Sequence, residues 1–416
     1  MARTPKKILF LSGIDFKEKS IQVIINTPEA FAAAGWQVDY IVLRDTSKGG
    51  NYFYETPITP KGVNVFRSPY KGGRLLNKIS NHTLRAIINK LVAARGVFQL
   101  YSQALELLAK QQYDVVYGYE HIGTLAVKRL SSKHKLNGAK TVSRFQGTWM
   151  SLYYKQKNKF KLLVNSDFKW AMSFKSDLFI MTNDGTQGDY ILEQWNPDHG
   201  NTKFWVNGVN SPKINTAITS QISSSLQVEK KLTIISISRL EGWKRVDRGI
   251  DIIHSFIQKF PESKDKIKYI IVGDGVDKGS LEKRVATHKL TDQIHFTGAI
   301  SHAEVGNYLN LADVFFSFYD LSNVGNPLLE AIRSQKIIMT LANGDTSKWI
   351  THLENGFIYN PHSDFKNEVA EDLDKLINDQ HLKDTVKIGV KKLSEEKLWT
   401  WSERMDEEVN EVTALL

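Results

Sequence analysis

The chain has 416 residues, 41% of them hydrophobic and 24% charged, with a formal net charge of +10. Its length predicts two domains of ordinary globular composition. It holds no cysteine, which excludes disulfides, thiolate metal sites and cysteine nucleophiles. No window approaches the roughly 20 apolar residues that a membrane span needs.

The opening, MARTPKKILFLSG, pairs lysines with only a short apolar run. It reads as a first strand over 6–12, not as a signal peptide. Residues 20–34 read as a helix ending at Gly35, and QVDYIVL (37–43) as the next strand. Residues 75–112 are mostly helical in pattern. Strands follow at DVVYGY (114–119), KTVSRF (140–145) and SDLFIMT (176–182). A break falls at FWVNGVNSPKIN, after which strands recur at 232–238, 268–273, 293–298, 313–318 and 336–340. The tail TWSERMDEEVNEVTALL reads as a helix. Alternating strands and helices predict an α/β architecture of two doubly wound Rossmann-like domains facing a cleft. Their expected bounds are 1–205, joined by the tail helix from about 396 to 416, and 206–395. Ligands of such sheets sit beyond the carboxyl ends of the strands, so loops after strands are where chemistry is sought.

Three such loops carry it. After the strand LTIISIS come Arg239 and Lys244, flanking Gly242. A guanidinium and an ammonium in that arrangement can clamp a diphosphate; the plain alternative is surface charge. YIIVGDG brings Gly273 to a strand end, a weak match to a dinucleotide fingerprint and otherwise a tight turn. SNVGNPLLEAI (322–332) meets a helix in which Asn326 is the expected N-cap and Pro327 the first helical residue. Gly325 allows close backbone approach, and a helix start suits a phosphate. Glu330 follows on that helix, where a favourable acid near a helix start is the plain alternative. His121, in YGYEHIG, is a further histidine near a strand end and reads mainly as structural.

In this order, SISRLEGWKRVDRGIDII, VGDGVDKGSLEKRV, IHFTGAISHAEVGNYLNLADVFFSF and SNVGNPLLEAI resemble the carboxy-terminal half of the retaining family 4 glycosyltransferases, which have the GT-B fold. The resemblance runs from about 204 to about 395. It implies that Arg239 and Lys244 act on the nucleotide diphosphate. It implies that Glu330, as the second acid of an E-x7-E motif, accepts from the donor ribose. Ser322, Asn323, Gly325 and Asn326 then form a donor-facing loop, with Gly13 and Gly273 as glycines at strand ends. Ser322 stands where the family has the motif's first acid, and Gln146, in TVSRFQGTWM, where it has a histidine. The implied activity is a metal-independent transfer, with retention, from a UDP- or GDP-linked sugar to a glycan or lipid-linked acceptor. It implies no cofactor, and a role in cell-surface polysaccharide or glycoconjugate synthesis. A catalytically silent homologue that binds or scaffolds is the other reading these two departures allow.

Charge is uneven. Residues 1–205 hold 29 Lys and Arg against 15 Asp and Glu; residues 206–416 hold 26 against 30. The stretch 56–105 contains no acid, and KQKNKFK (155–161) is a second basic cluster. RLLNKISNHTLRAIINKLVAAR interleaves Arg and Lys with Leu and Ile near helical spacing. That pattern suits an anionic membrane surface. The expected location is cytoplasmic, peripheral on the inner face of the membrane. With no helix-turn-helix, RNP or zinc pattern, nucleic acid is not an expected partner.

Overall fold

The computed structural model describes residues 5–17, 22–46, 56–70, 81–321 and 323–416. Ser322 and residues 71–80, which include Lys71, Arg74, Leu75, Leu76, Lys78 and Ile79, lie outside the described residues. Two compact units emerge. One holds Met1–Asn183, Gln187–Asn207 and Trp401–Leu416; the other holds Asp184–Thr186 and Gly208–Thr400.

The first unit runs β1 (Lys7–Ser12), α1 (Gln22–Ala33), β2 (Gln37–Arg44), β3 (Val63–Pro69), α2 (His82–Leu108), β4 (Val115–Tyr119), α3 (Glu120–Ser132), β5 (Lys140–Phe145), α4 (Met150–Lys155), α5 (Lys159–Val164), α6 (Ser166–Met172), β6 (Leu178–Thr182), α7 (Gly188–Trp195) and β7 (Thr202–Trp205). The second runs α8 (Thr216–Leu226), β8 (Leu232–Ile237), α9 (Val246–Lys259), β9 (Ile267–Val272), α10 (Lys278–Thr287), β10 (Ile294–Gly298), α11 (Val305–Leu311), β11 (Val314–Ser317), α12 (Asn326–Arg333), β12 (Ile337–Leu341), β13 (Phe357–Tyr359), α13 (Phe365–Asn378) and α14 (Gln380–Lys397). The last helix, α15 (Trp401–Thr413), returns to the first unit.

Both sheets are parallel, ordered β3-β2-β1-β4-β5-β6-β7 and β10-β9-β8-β11-β12-β13. Each is doubly wound, and its order reverses at one point: between β1 and β4, and between β8 and β11. The central strands are continuous apolar runs, such as KILFLS in β1 and LTIISI in β8, buried along nearly their whole length. Helices covering both faces require that pattern. α9 shows the matching helical face: Val246, Gly249, Ile250, Ile253 and Phe256 are buried at spacings of three and four. Gly249 is needed there, because a Cβ would stand 2.6 Å from the Tyr269 hydroxyl.

α15 is tied to the first sheet by buried charge. Glu408 accepts from Tyr117 Oη at 2.5 Å and pairs with Arg404 at 2.8 Å, with Arg144 of β5 at 3.7 Å. Burial pushes the Glu408 carboxyl up, but Arg144 and Arg404 outweigh it and hold the group below its usual value.

Candidate active site

In the second unit, the switch point gathers the loop after β8 and the loop after β11. The Asp320 amide donates to the Trp243 carbonyl at 3.0 Å, joining the two loops. Lys244 Nζ lies 4.0 Å from the ring centres of both Trp243 and Tyr319. The ammonium is thus desolvated between two aromatic faces. Burial, then the Arg239 cation, lower its pKa to about 7, against the pull of Asp184 and Glu241. Arg239 extends outward with its side chain 71% exposed, and pairs with Glu241 at 2.8 Å. The other Glu241 oxygen accepts from Trp243 Nε1 at 2.8 Å. The arrangement is one half-hidden cation and one projecting cation on a braced loop, at the sheet's switch point.

Gly273 follows β9 at φ +136°, where a Cβ would stand 1.9 Å from the Ser238 carbonyl oxygen. Only glycine lets β9 end that close to the residue preceding Arg239. Asn323 is buried, and its amide donates to Asn343, whose own amide donates to the Tyr319 carbonyl at 2.8 Å. The Val324 amide donates to the Asp184 carbonyl at 3.0 Å. These bonds fix the loop before α12.

The helix start differs from expectation. Gly325 is the N-cap, at φ −80° and ψ 172°, and its carbonyl accepts from Leu328 and Leu329. Asn326 is the first helical residue, not the cap, and Pro327 the second. The extended Gly325 supplies the turn by backbone alone, and Pro is as well tolerated one position further in, since that N–H is also without an intrahelical partner. Glu330 consequently lies beyond the first turn. Its side chain is 17% exposed, and Oε1 meets His302 Nε2 at 2.9 Å. That hydrogen bond raises the His302 pKa, against a smaller effect of burial. His302 begins a short 3-10 turn, Ser301 and Glu304 forming its capping box.

In the first unit, Gly13 follows β1, and a Cβ there would press on Ile122 at 3.0 Å. The Gln146 backbone N–H donates to the Glu120 carboxylate at 2.8 Å. Glu120 itself sits at φ 56°, a left-handed conformation costly for a non-glycine residue. The sequence reading missed Glu120 and His302. Each meets its partner across long sequence separation, so no local pattern marks it; the adjoining S-H-A-E capping box was the one visible signal. His121 is partly buried beside Phe168, which stacks on it at 4.1 Å, and lies 3.9 Å from Asp167. Burial lowers its pKa to about 4, the Asp167 charge notwithstanding. Among the described residues, no three His, Cys, Asp or Glu side chains are grouped to hold a metal ion.

The fold has solved counterparts. The crystal structure of Anabaena HepE in complex with UDP superposes with a TM-score of 0.69 at 16% identity, covering 99% of this chain and 100% of that one. Two doubly wound parallel sheets of this order, with cations after the first strand of the second, make the chain an α/β protein of the GT-B class. Residues 218–392 match the family "Glycosyl transferases group 1". The alpha-monoglucosyldiacylglycerol synthase of Acholeplasma laidlawii is 27% identical over 126 residues, 30% of this chain and 31% of that protein. The phosphatidylinositol N-acetylglucosaminyltransferase GPI3 subunit of Saccharomyces cerevisiae is 21% identical over 248 residues, 60% of this chain and 52% of that protein. The matches thus span about a third to a half of those curated relatives. The chain thus has the GT-B fold, and its second unit carries the match to the group 1 glycosyl transferases.

Proposed function

We propose that this protein moves a sugar from a uridine-diphosphate donor to a lipid-linked or glycan acceptor, with retention and without a metal ion, in the synthesis of a cell-surface polysaccharide or glycoconjugate. The observation that carries the reading is the paired Arg239 and Lys244 at the second sheet's switch point, within the segment that matches the group 1 transferases. Negative charge grows on the diphosphate as the glycosidic bond breaks. Preorganised cations and the positive end of α12 offset that charge and replace a magnesium ion. Glu330 takes the ribose hydroxyls through its carboxylate. Asn323, Gly325, Asn326 and Gly273 line the donor in the second unit; in the first unit, Gly13 and Gln146 are the candidates for sugar contact. UDP in the HepE complex supports a uridine donor. The diacylglycerol and phosphatidylinositol in the relatives' names support a lipid acceptor.

The first unit is then the acceptor side, peripheral on an anionic membrane. Leu84, Ile87 and Leu91 are exposed on α2, among Arg85, Lys90 and Arg95. Among the described residues no helix is long and apolar enough to cross a membrane.

The test incubates the protein with a panel of UDP- and GDP-sugars and vesicles of diacylglycerol or polyprenyl phosphate acceptors, with and without EDTA. The expected result is transfer from a UDP-sugar, EDTA-insensitive, with the donor's anomeric configuration kept in the product. Binding of nucleotide with no transfer to any acceptor would return the silent-homologue reading. A strict magnesium or manganese requirement would contradict the metal-free mechanism.

A further inference from the structure

The first unit contains a cavity of about 500 Å³ bounded by α2, α3 and the α5–α6 region. Its walls include Ala94, Val97, Phe98, Ile122, Leu125 and Trp170. A void of that size falls in the range of ligand pockets, and such walls left in water are costly unless something apolar covers them. Phe98 and Trp170 keep 51% and 59% of their surface exposed, so the apolar lining continues to the outside.

The polar groups at this cavity are mainly cationic, and two of them have no acidic partner among the described residues. Lys90 is neutralised by Asp167 at 2.8 Å. Lys128, by contrast, donates to the Trp170 carbonyl at 2.8 Å and has no acidic partner among the described residues. Arg129 lies over the rings of Phe98 at 4.2 Å and Tyr101 at 5.1 Å, and its buried Nε has no hydrogen-bond partner. His121 also lines the cavity; held neutral by burial, it adds no charge at pH 7. An apolar hollow with two uncompensated cations complements one kind of occupant: a hydrocarbon chain ending in an anionic group.

We infer that this cavity binds one hydrocarbon chain of an anionic membrane lipid, with the lipid's phosphate held by Lys128 and Arg129. The inference rests on the lipid-acceptor reading above and deepens it. Seating one chain would hold a lipid against α2 and α3 at a fixed depth. The chain supplies affinity by apolar burial, and the cations supply selectivity for charge.

The test is calorimetric, using monomeric octyl phosphate and decyl phosphate below their micelle concentrations, with octyl glucoside and inorganic phosphate as controls. Decyl phosphate is expected to bind more tightly than octyl phosphate, by about threefold to fourfold per added methylene. Inorganic phosphate should not bind measurably, and octyl glucoside should bind at least about tenfold more weakly than octyl phosphate, as loss of a charged hydrogen bond implies. Ala94→Trp fills the hollow and should abolish chain-length dependence. Lys128→Ala with Arg129→Gln should erase the preference for phosphate over glucoside. Should Ala94→Trp fail to fold, the cation variant still reads the site. No binding of decyl phosphate to the wild type, or equal binding by the wild type and both variants, overturns the inference. UDP binding, followed in the same samples, separates the two readings: an empty cavity beside intact UDP binding and lipid glycosylation removes only the chain site.

Discussion

Lys244 is the residue whose chemistry is most altered by its surroundings. Two aromatic faces and the Arg239 cation hold its pKa at about 7, well below the ordinary lysine range. Between about pH 7 and that range the unfolded chain binds the extra proton, so the ligand-free protein gains stability as pH rises. A diphosphate reverses the balance by favouring the ammonium. Nucleotide binding should take up a proton, and affinity should fall as pH climbs above about 7. Calorimetry in buffers of different ionisation enthalpy reads the uptake, and Lys244→Arg should flatten the profile, because a guanidinium stays charged. A flat profile in the wild type would remove the titrating lysine from the site. Glu330 carries a second prediction. In Glu330→Gln an amide donor would face the ribose hydroxyl. Nucleotide affinity should fall, while the lost His302 contact, 65% exposed on the histidine side, should move Tm little. Unchanged affinity would leave Glu330 as a histidine-paired surface acid.

Elements show where reading a sequence works and where it stops. Strands β1, β2, β4, β6, β8, β9, β11 and β12 were legible because burial on both faces demands largely apolar runs; the more polar β5 and the partly buried edge strand β10 were legible from the regular alternation of strands with helices. β3, β7 and β13 were not. β3 and β7 are edge strands, only partly buried, and β13 is three residues long. Arg239, Lys244, Gly273 and the loop before α12 were legible because doubly wound sheets put ligands after strands. The Glu330–His302 pair was not, since residues 28 apart meet only through the fold. Two element junctions are open to measurement. Gly273→Ala should drive a methyl into the Ser238 carbonyl, destabilising the unit by about 1–3 kcal/mol through backbone strain alone and weakening nucleotide binding by moving Arg239. Glu408→Gln should cost about 3–5 kcal/mol, because Arg144 and Arg404 lose their buried counter-ion. The Glu408 carboxyl is held low, so its contribution is present above the unfolded glutamate pKa and lost as pH falls through the folded one. Urea melts taken in steps from pH 7 to well below the ordinary glutamate range should show the wild type and the variant converging only at the acid end; a gap that does not change with pH would place the stabilisation of α15 elsewhere.

Across the whole molecule, charge is divided as the work is proposed to be. The basic excess falls in residues 1–205 and the slight acidic excess in 206–416. The exposed Leu84, Ile87 and Leu91 of α2, and Phe160 and Leu163 of α5, lie in the basic half. Each basic residue near an anionic surface contributes about 1 kcal/mol, and salt screens it. Co-sedimentation should therefore be strong with anionic vesicles at low salt and weak with neutral vesicles or at high salt. Equal, negligible binding to both lipids would favour a soluble acceptor. The central claim is that the second unit grips a nucleotide diphosphate with protein cations. Titration calorimetry of UDP against the wild type, Arg239→Ala and Lys244→Ala at pH 7 with EDTA tests it most directly. Metal-free binding by the wild type, weakened by about 1.5–3 kcal/mol in each variant as loss of a charged hydrogen bond implies, is the predicted result. Unchanged UDP affinity in both variants would contradict it.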